Sequence, residues 1–272
     1  MGPLDILSTI TKTETGRDFT VTILAEDRGD INLAPVPPEG ATWKLETPTG
    51  LPTDSNGDIA GRGFDVPLRA HVTFDDALRD LKEKGSVGVK MWDAAAGVHI
   101  TQQRTMDVLF IPGGIGSRLH RVDRKTGEKT LNVRSAIDFA RTVCTEGFVQ
   151  SAVMTVCTGS DLLAHTGLLD GRRCTTNANA FDMVAGRHAG PKWLKDRRWV
   201  RSLPEEVEGH AKGCEREIWT SAGISAGMDL MLWFVAEVWG REFARGTGRK
   251  LEYEWRERIG EGEVDPYYTT QG

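Results

Sequence analysis

The stretch V153-M-T-V-C-T-G-S-D-L-L-A-H-T-G-L-L169 decides how the rest of the chain is read. Val153, Met154, Thr155 and Val156 are a buried-looking run that reads as the end of a strand. Cys157 stands at its tip, and Thr158 and Gly159 make a sharp turn. Leu162, Leu163, Thr166 and Leu169 then recur at helical spacing. A thiol placed there lies at a strand-to-helix turn, at the positive end of a helix that favours its anionic form. Spacing alone leaves two readings open. One is a nucleophile; the other is a small core residue ending an apolar strand. The turn also departs from the G-x-S-x-G elbow, because Thr155 takes the first glycine position.

Around this stretch the same alternation repeats. A strand is expected at FTVTILAED (19–27), another at VPLRAHVTF (66–74) and a third at MDVLFIPGG (106–114). Helices are expected over 4–15, over DDALRDLKEKG (75–85), over 132–146, over SAGMDLMLWFVAEVWG (225–240) and from 241 to about 253. SVGVKMWDAAAGVHITQQ (86–103) reads as an added hairpin, RRCTTN (172–177) as a short strand, and RRWVRS (197–202) with EIWTSAG (217–223) as a second hairpin. Residues 28–65 are crowded with Pro, Gly, Asp and Asn and read as a long loop or insertion. The tail KLEYEWRERIGEGE (250–263) reads as a solvated helix face. Strands alternating with helices predict an open, mostly parallel sheet with helices on both faces. The expectation is one domain over 1–272, with ligands bound beyond the carboxyl ends of the strands. Two loops fall there, PGGIG (112–116) and CTGS (157–160).

Those loops define the chemistry. Backbone N–H groups of Thr158 and of Gly114 or Ile115 are placed to face a developing negative charge. Gly113 and Gly114 let the backbone approach without a side chain in the way. Taken alone, PGGIG is equally consistent with a tight turn, and it lacks dinucleotide-binding spacing. Cys144 and Cys174 read as packing residues. His165 lies too far along the helix to serve Cys157 and reads as a surface or capping residue. The tryptophans at 193, 199, 219, 233 and 239 read as core or subunit contact.

Composition narrows the function classes. The 272 residues are 39% hydrophobic and 27% charged, an ordinary globular balance. A net charge of −5 gives no electrostatic case for nucleic acid or an anionic membrane. No apolar run approaches the roughly 18 residues that span a bilayer. The N-terminus has no basic start followed by an apolar core, so no secretory signal is expected. The four cysteines, at 144, 157, 174 and 214, have no metal-ligand spacing, so neither a zinc site nor a disulfide framework is expected. Reduced thiols in a cytoplasmic protein are the expectation.

Three blocks in order, DVLFIPGGIG, VMTVCTGSDLLAHTGLLDGRRCTTN and EIWTSAGISAGMDLMLWFVAEVWG, resemble the signature blocks of the DJ-1/PfpI superfamily, in its isocyanide (isonitrile) hydratase-like branch of fungal type. The resemblance covers roughly 2–27 and 66–255. It implies a flavodoxin-like three-layer α/β sandwich, a homodimer, a small-molecule substrate and no cofactor or metal. It implies that Cys157 is the reactive cysteine of a nucleophile elbow, with Thr158 and Gly114 as partners in catalysis. Gly113, Ile115 and Asn177 would then contact the substrate. Asn177 stands where the family often has histidine, and asparagine takes up no proton near neutral pH. In this branch a first strand and a D-x-x-G-P acid precede the first helix. The chain enters that pattern at Gly2-Pro3, so strand and acid are expected to be missing, and Asp5 on the helix is no substitute. The implied activity is hydration of an isocyanide to an N-substituted formamide. The alternatives are a redox-responsive or non-enzymatic member, and a glyoxalase or deglycase acting on dicarbonyls.

Overall fold

The computed structural model describes residues 2–10, 20–26, 30–31, 41–46, 68–93, 96–207 and 215–269. They fall into two compact units. One comprises residues up to 21, 107–113 and 144 onward; the other comprises 22–106 and 114–143.

The first unit is built on a four-stranded sheet in the order 199–202, 217–221, 149–156 and 106–111. The apolar run ending at Cys157 forms Val149–Val156, buried without interruption from Ala152 to Val156. It pairs in parallel with Glu217–Ser221, Val153 opposite Ile218 and Val156 opposite Ser221. Glu217–Ser221 pairs antiparallel with Trp199–Ser202, the hairpin that alternation at 197–223 predicts. Helix Ile224–Trp239 is apolar nearly all round, which suits a helix enclosed by other elements. It contacts helix Gly2–Ser8, whose Ile6 is fully buried. Gly227 is small by necessity: a Cβ there would meet the Val156 methyls at 2.8 Å and Pro3 at 3.0 Å. Trp199 and Trp219 are both buried and stack with centroids 5.4 Å apart, while Trp233 tilts against Trp199 and meets Trp255 edge-on. Trp199 and Trp219 are therefore core residues, with Trp233 half-buried against them.

The second unit carries helix Phe74–Lys84. Thr73 caps it, its hydroxyl accepting from the Asp76 amide at 3.1 Å, and Gly85 ends it at φ +68°. Both ends obey the sequence signals for helix start and stop. Strands Val87–Asp93 and Val98–Arg104 form the expected hairpin. Helix Arg134–Thr145 fits the expected 132–146, and Phe139 on it stacks on Phe74.

Several expectations change. The first helix ends at Ser8 rather than 15; residues 11–15 lie outside the described ones. Among the described residues of 19–27 only Leu24–Ala25 is strand, paired in parallel with Val72–Thr73, and the described residues of 66–74 give two two-residue strands. The segment 28–65 is not all loop. Trp43–Glu46 is a strand against His120–Asp123, and Asp30–Ile31 pairs with Leu68–Arg69. Trp43-Lys44-Leu45-Glu46 alternates apolar and polar, a period-2 signal masked by the Pro- and Gly-rich residues on either side. The tail is not a helix face. The helix stops at Lys250, and side chains pin the segment beyond it: Tyr253 Oη donates to Asp229 Oδ1 at 3.0 Å and the Arg256 amide to the same oxygen at 3.1 Å. Pro266–Thr269 forms a further short helix. Among the described residues no helix is long and apolar enough to cross a membrane.

Candidate active site

The elbow is assembled by the backbone around Cys157. This residue has φ +58°, one of two non-glycine residues with positive φ among those described. For an L-residue that conformation costs on the order of 1 kcal/mol and persists only where neighbours enforce it. The neighbours are visible. The Cys157 amide donates to the Ser221 carbonyl at 3.0 Å. The Cys157 carbonyl accepts from Ser160 Oγ at 3.0 Å and from Thr176 Oγ1 at 3.3 Å. Contacts from three segments therefore hold the backbone on both sides of one residue.

Gly113 is pressed against this turn. A Cβ on it would lie 2.5 Å from Cys157 Cβ and 2.7 Å from both the Thr158 nitrogen and the Val156 oxygen. Gly159 is equally constrained, because a Cβ there would collide with the Ile111 carbonyl. The structure thus brings Cys157, Thr158 and Gly113 together. Gly114 and Ile115 belong to the other unit, at the start of the 3₁₀ turn Ile115–Arg118, where the Gly114 carbonyl accepts from Ser117 Oγ at 3.4 Å.

The elbow helix is shorter than its pattern. It spans Gly159–Ala164, and Thr166 and Leu169 lie beyond it in turns. Gly167 at φ +81° breaks it, while the Thr166 hydroxyl bonds back to the Leu163 carbonyl. All six helix residues are buried, Asp161 included. Its carboxylate meets His188 Nε2 at 3.0 Å, Arg187 Nη1 at 3.3 Å and His165 Nε2 at 4.0 Å. His165 is thus the residue that ends the elbow helix, and one wall of a polar cluster. The sequence pattern does not single out Asp161 or His188; the one signal it holds is the i, i+4 spacing of Asp161 and His165.

Asn177 comes directly after Thr176 and caps the 3₁₀ turn Ala178–Ala180, its Oδ1 accepting from the Asn179 amide at 3.0 Å. It lines a cavity of about 290 Å³ with Arg198, Gly223, Ser225, Arg256 and the tyrosines 267 and 268. Cys157 is not among the lining residues.

Cys157 is partly exposed, whereas Cys144 and Cys174 are buried. Burial pushes the Cys174 thiol far above its ordinary range. Access and thiolate character both govern alkylation. Limited iodoacetamide is therefore expected to label Cys157 before Cys144 and Cys174, and peptide mapping that found either of those labelled first would refute this. Cys214 lies outside the described residues.

The chain is 31% identical over 148 residues to an isonitrile hydratase of Pseudomonas putida, covering 54% of this chain and 52% of that protein. It therefore spans about half the length of that relative. Among solved structures, an AraC family transcriptional regulator from Pseudomonas putida superposes with a TM-score of 0.50 at 15% identity, over 92% of this chain and 90% of that one. A ThiJ/PfpI family protein from Pseudomonas syringae gives a TM-score of 0.45 at 19% identity, over 99% and 76%. The DJ-1/PfpI family model matches residues 71–237, a span that contains the sheet strands, the elbow and most of the long helix. The chain, with its flavodoxin-like α/β fold, belongs to the DJ-1/PfpI family.

Proposed function

We propose that this chain is a thiol-dependent hydratase that converts an isocyanide and water into an N-substituted formamide. The observation behind the reading is the held, left-handed conformation of Cys157. Ser160, Thr176 and Ser221 restrain its peptide, and its side chain is the partly exposed thiol among the described cysteines. The half-length likeness to an isonitrile hydratase supports the substrate class.

The chemistry balances without an oxidant or reductant. The Cys157 sulfur bonds to the terminal carbon of R–NC, and that carbon takes up a proton, giving a thioimidate R–N=CH–S. Water adds to the same carbon while the nitrogen is protonated. The tetrahedral adduct then expels the thiol and leaves R–NH–CHO. Charge that builds during addition and collapse is met by the Thr158 amide, the donor directly after the nucleophile. Gly113 lets the backbone pack directly against the Cys157 turn, where any side chain would collide with Cys157 Cβ.

Asn177 separates this reading from the dicarbonyl one. Its side chain is engaged in capping and takes up no proton near neutral pH, so it supplies no base for glyoxalase or deglycase chemistry. The test is a paired assay of the full chain. An alkyl isocyanide should be consumed with formation of the matching formamide, and methylglyoxal should not turn over. Consumption of neither substrate would favour a redox-responsive or non-enzymatic member and overturn the proposal.

A further inference from the structure

We propose that Asp161, His165 and His188 form a binding site for one divalent transition-metal ion, with Zn²⁺ as the ion that suits them. The site is independent of the hydratase reading.

Two imidazoles and one carboxylate converge here from separate turns of the chain. One oxygen from Asp161 and one ring nitrogen from each histidine all lie within 4.8 Å of one another. His188 Nε2 is 3.0 Å and His165 Nε2 4.0 Å from the same oxygen, Asp161 Oδ1. Bonds of about 2.0–2.1 Å at tetrahedral angles place ligand atoms roughly 3.3 Å apart. The observed separations bracket that value, so side-chain adjustments of about an ångström close the set. The two rings are perpendicular, with centroids 4.5 Å apart, so the ligand atoms gather without the rings colliding.

The surroundings fit an ion as well. The Asp161 side chain is fully buried, that of His188 is 10% exposed and that of His165 24%. The carboxylate is thus dry while the histidines give entry from solvent. Arg187 Nη1 holds the other Asp161 oxygen at 3.3 Å. That contact leaves Oδ1 as a single inward-facing donor and orients it, as outer-shell partners do at metal centres. Imidazole with carboxylate selects zinc and its neighbours over magnesium or calcium, which favour all-oxygen sets. Three protein ligands leave a fourth position for water.

The ion would also have a mechanical effect. His165 closes the elbow helix and His188 closes helix Phe181–Arg187. A metal shared between them ties the C-terminal ends of both helices together, at the end of the elbow helix away from Cys157. No cysteine is in the set, which is why cysteine spacing gives no hint of it.

The experiment uses the full chain carrying Cys157→Ser, so that this thiol cannot compete, stripped with a chelator and then titrated with Co²⁺ and Zn²⁺. One Co²⁺ per chain is expected, with visible bands of a low-coordinate site and no thiolate-to-cobalt charge transfer. Zn²⁺ should displace it and raise the melting temperature. His188→Gln and His165→Gln should each weaken binding by more than about 100-fold, the upper end of what outer-shell changes cost. His165 is the most exposed of the three, so its variant tests the site even if changes at Asp161 or His188 disturb folding. Uptake well below one ion per chain, a thiolate signature, or equal affinity in the His165→Gln protein would each overturn the proposal.

Discussion

Replacing Cys157 with alanine is expected to lower isocyanide turnover by at least about 10³-fold, the least that loss of a covalent nucleophile should cost. Alanine keeps everything else that defines the elbow. The amide bond to the Ser221 carbonyl and the hydroxyls of Ser160 and Thr176 on the Cys157 carbonyl involve only backbone atoms of residue 157. Alanine retains these, and it carries the same left-handed backbone cost as cysteine. The elbow therefore survives and only the sulfur is lost. Steady-state kinetics on formamide release, beside a denaturation curve matching the parent, would check this. Activity within tenfold of the parent would show that the sulfur forms no bond to substrate.

The second large effect lies in the ion network under the tail. Asp229, on the long helix, takes Arg198 on one oxygen, and Tyr253 with the Arg256 amide on the other. Asp265 touches Arg198 at 3.5 Å and Arg256 at 3.4 Å. Arg198, Asp229 and Asp265 are all buried. Burial pushes the Asp229 carboxyl up, and Arg198 pulls it back down. Burial, with the Asp229 charge behind it, also pushes Tyr253 up to about 12, so its hydroxyl remains a donor. Asp229→Ala leaves Arg198 in the interior with Tyr253 and the longer Asp265 contact but without its close carboxylate partner. Breaking a buried pair from one side costs about 3–5 kcal/mol. With Asp265 remaining, a loss of about 3 kcal/mol is expected, roughly 6–12 °C in Tm for a chain of this size. Thermal denaturation of the variant decides it, and a loss under about 1 kcal/mol would mean that the network carries no stability. The double change Arg198→Met with Asp229→Leu should recover most of the loss, because apolar replacements of a buried pair are close to neutral.

Legibility in the sequence depends on the range of the interaction concerned. Strand Val149–Val156 and the turn at Cys157 rest on local signals: an unbroken apolar run, then small residues. Asp75 near its start and Gly85 past its end mark a helix for the same reason, while the cap at Thr73 falls in a stretch read as strand. Trp43–Glu46 escapes a sequence reading because four residues of alternation weigh little against a surrounding excess of proline and glycine. The elbow helix reads too long because Leu162, Leu163, Thr166 and Leu169 keep helical spacing through Gly167, which ends it. Beyond the i, i+4 spacing of Asp161 and His165, the polar clusters cannot be read. Asp229 meets Arg198 across 31 positions and Asp161 meets His188 across 27, and no periodicity in one sequence pairs residues so far apart. Of the candidate site, Cys157, Thr158 and Gly113 are legible because adjacency and glycine are local signals. Asn177 is reached through family resemblance, and its capping contact emerges only with the fold.

The left-handed backbone at Cys157 bears on how the sequence can drift. Glycine adopts φ near +58° without the penalty other residues carry, so Cys157→Gly should be about 1 kcal/mol more stable than Cys157→Ala. Laboratory evolution that rewards only heat tolerance would then favour glycine at this position, and the thiol would disappear from a population that still folds well. Cysteine persists there only under a selection that reads chemistry. Sequencing position 157 after parallel heat-only and activity-linked selections would show the two pressures pulling the same codon in opposite directions.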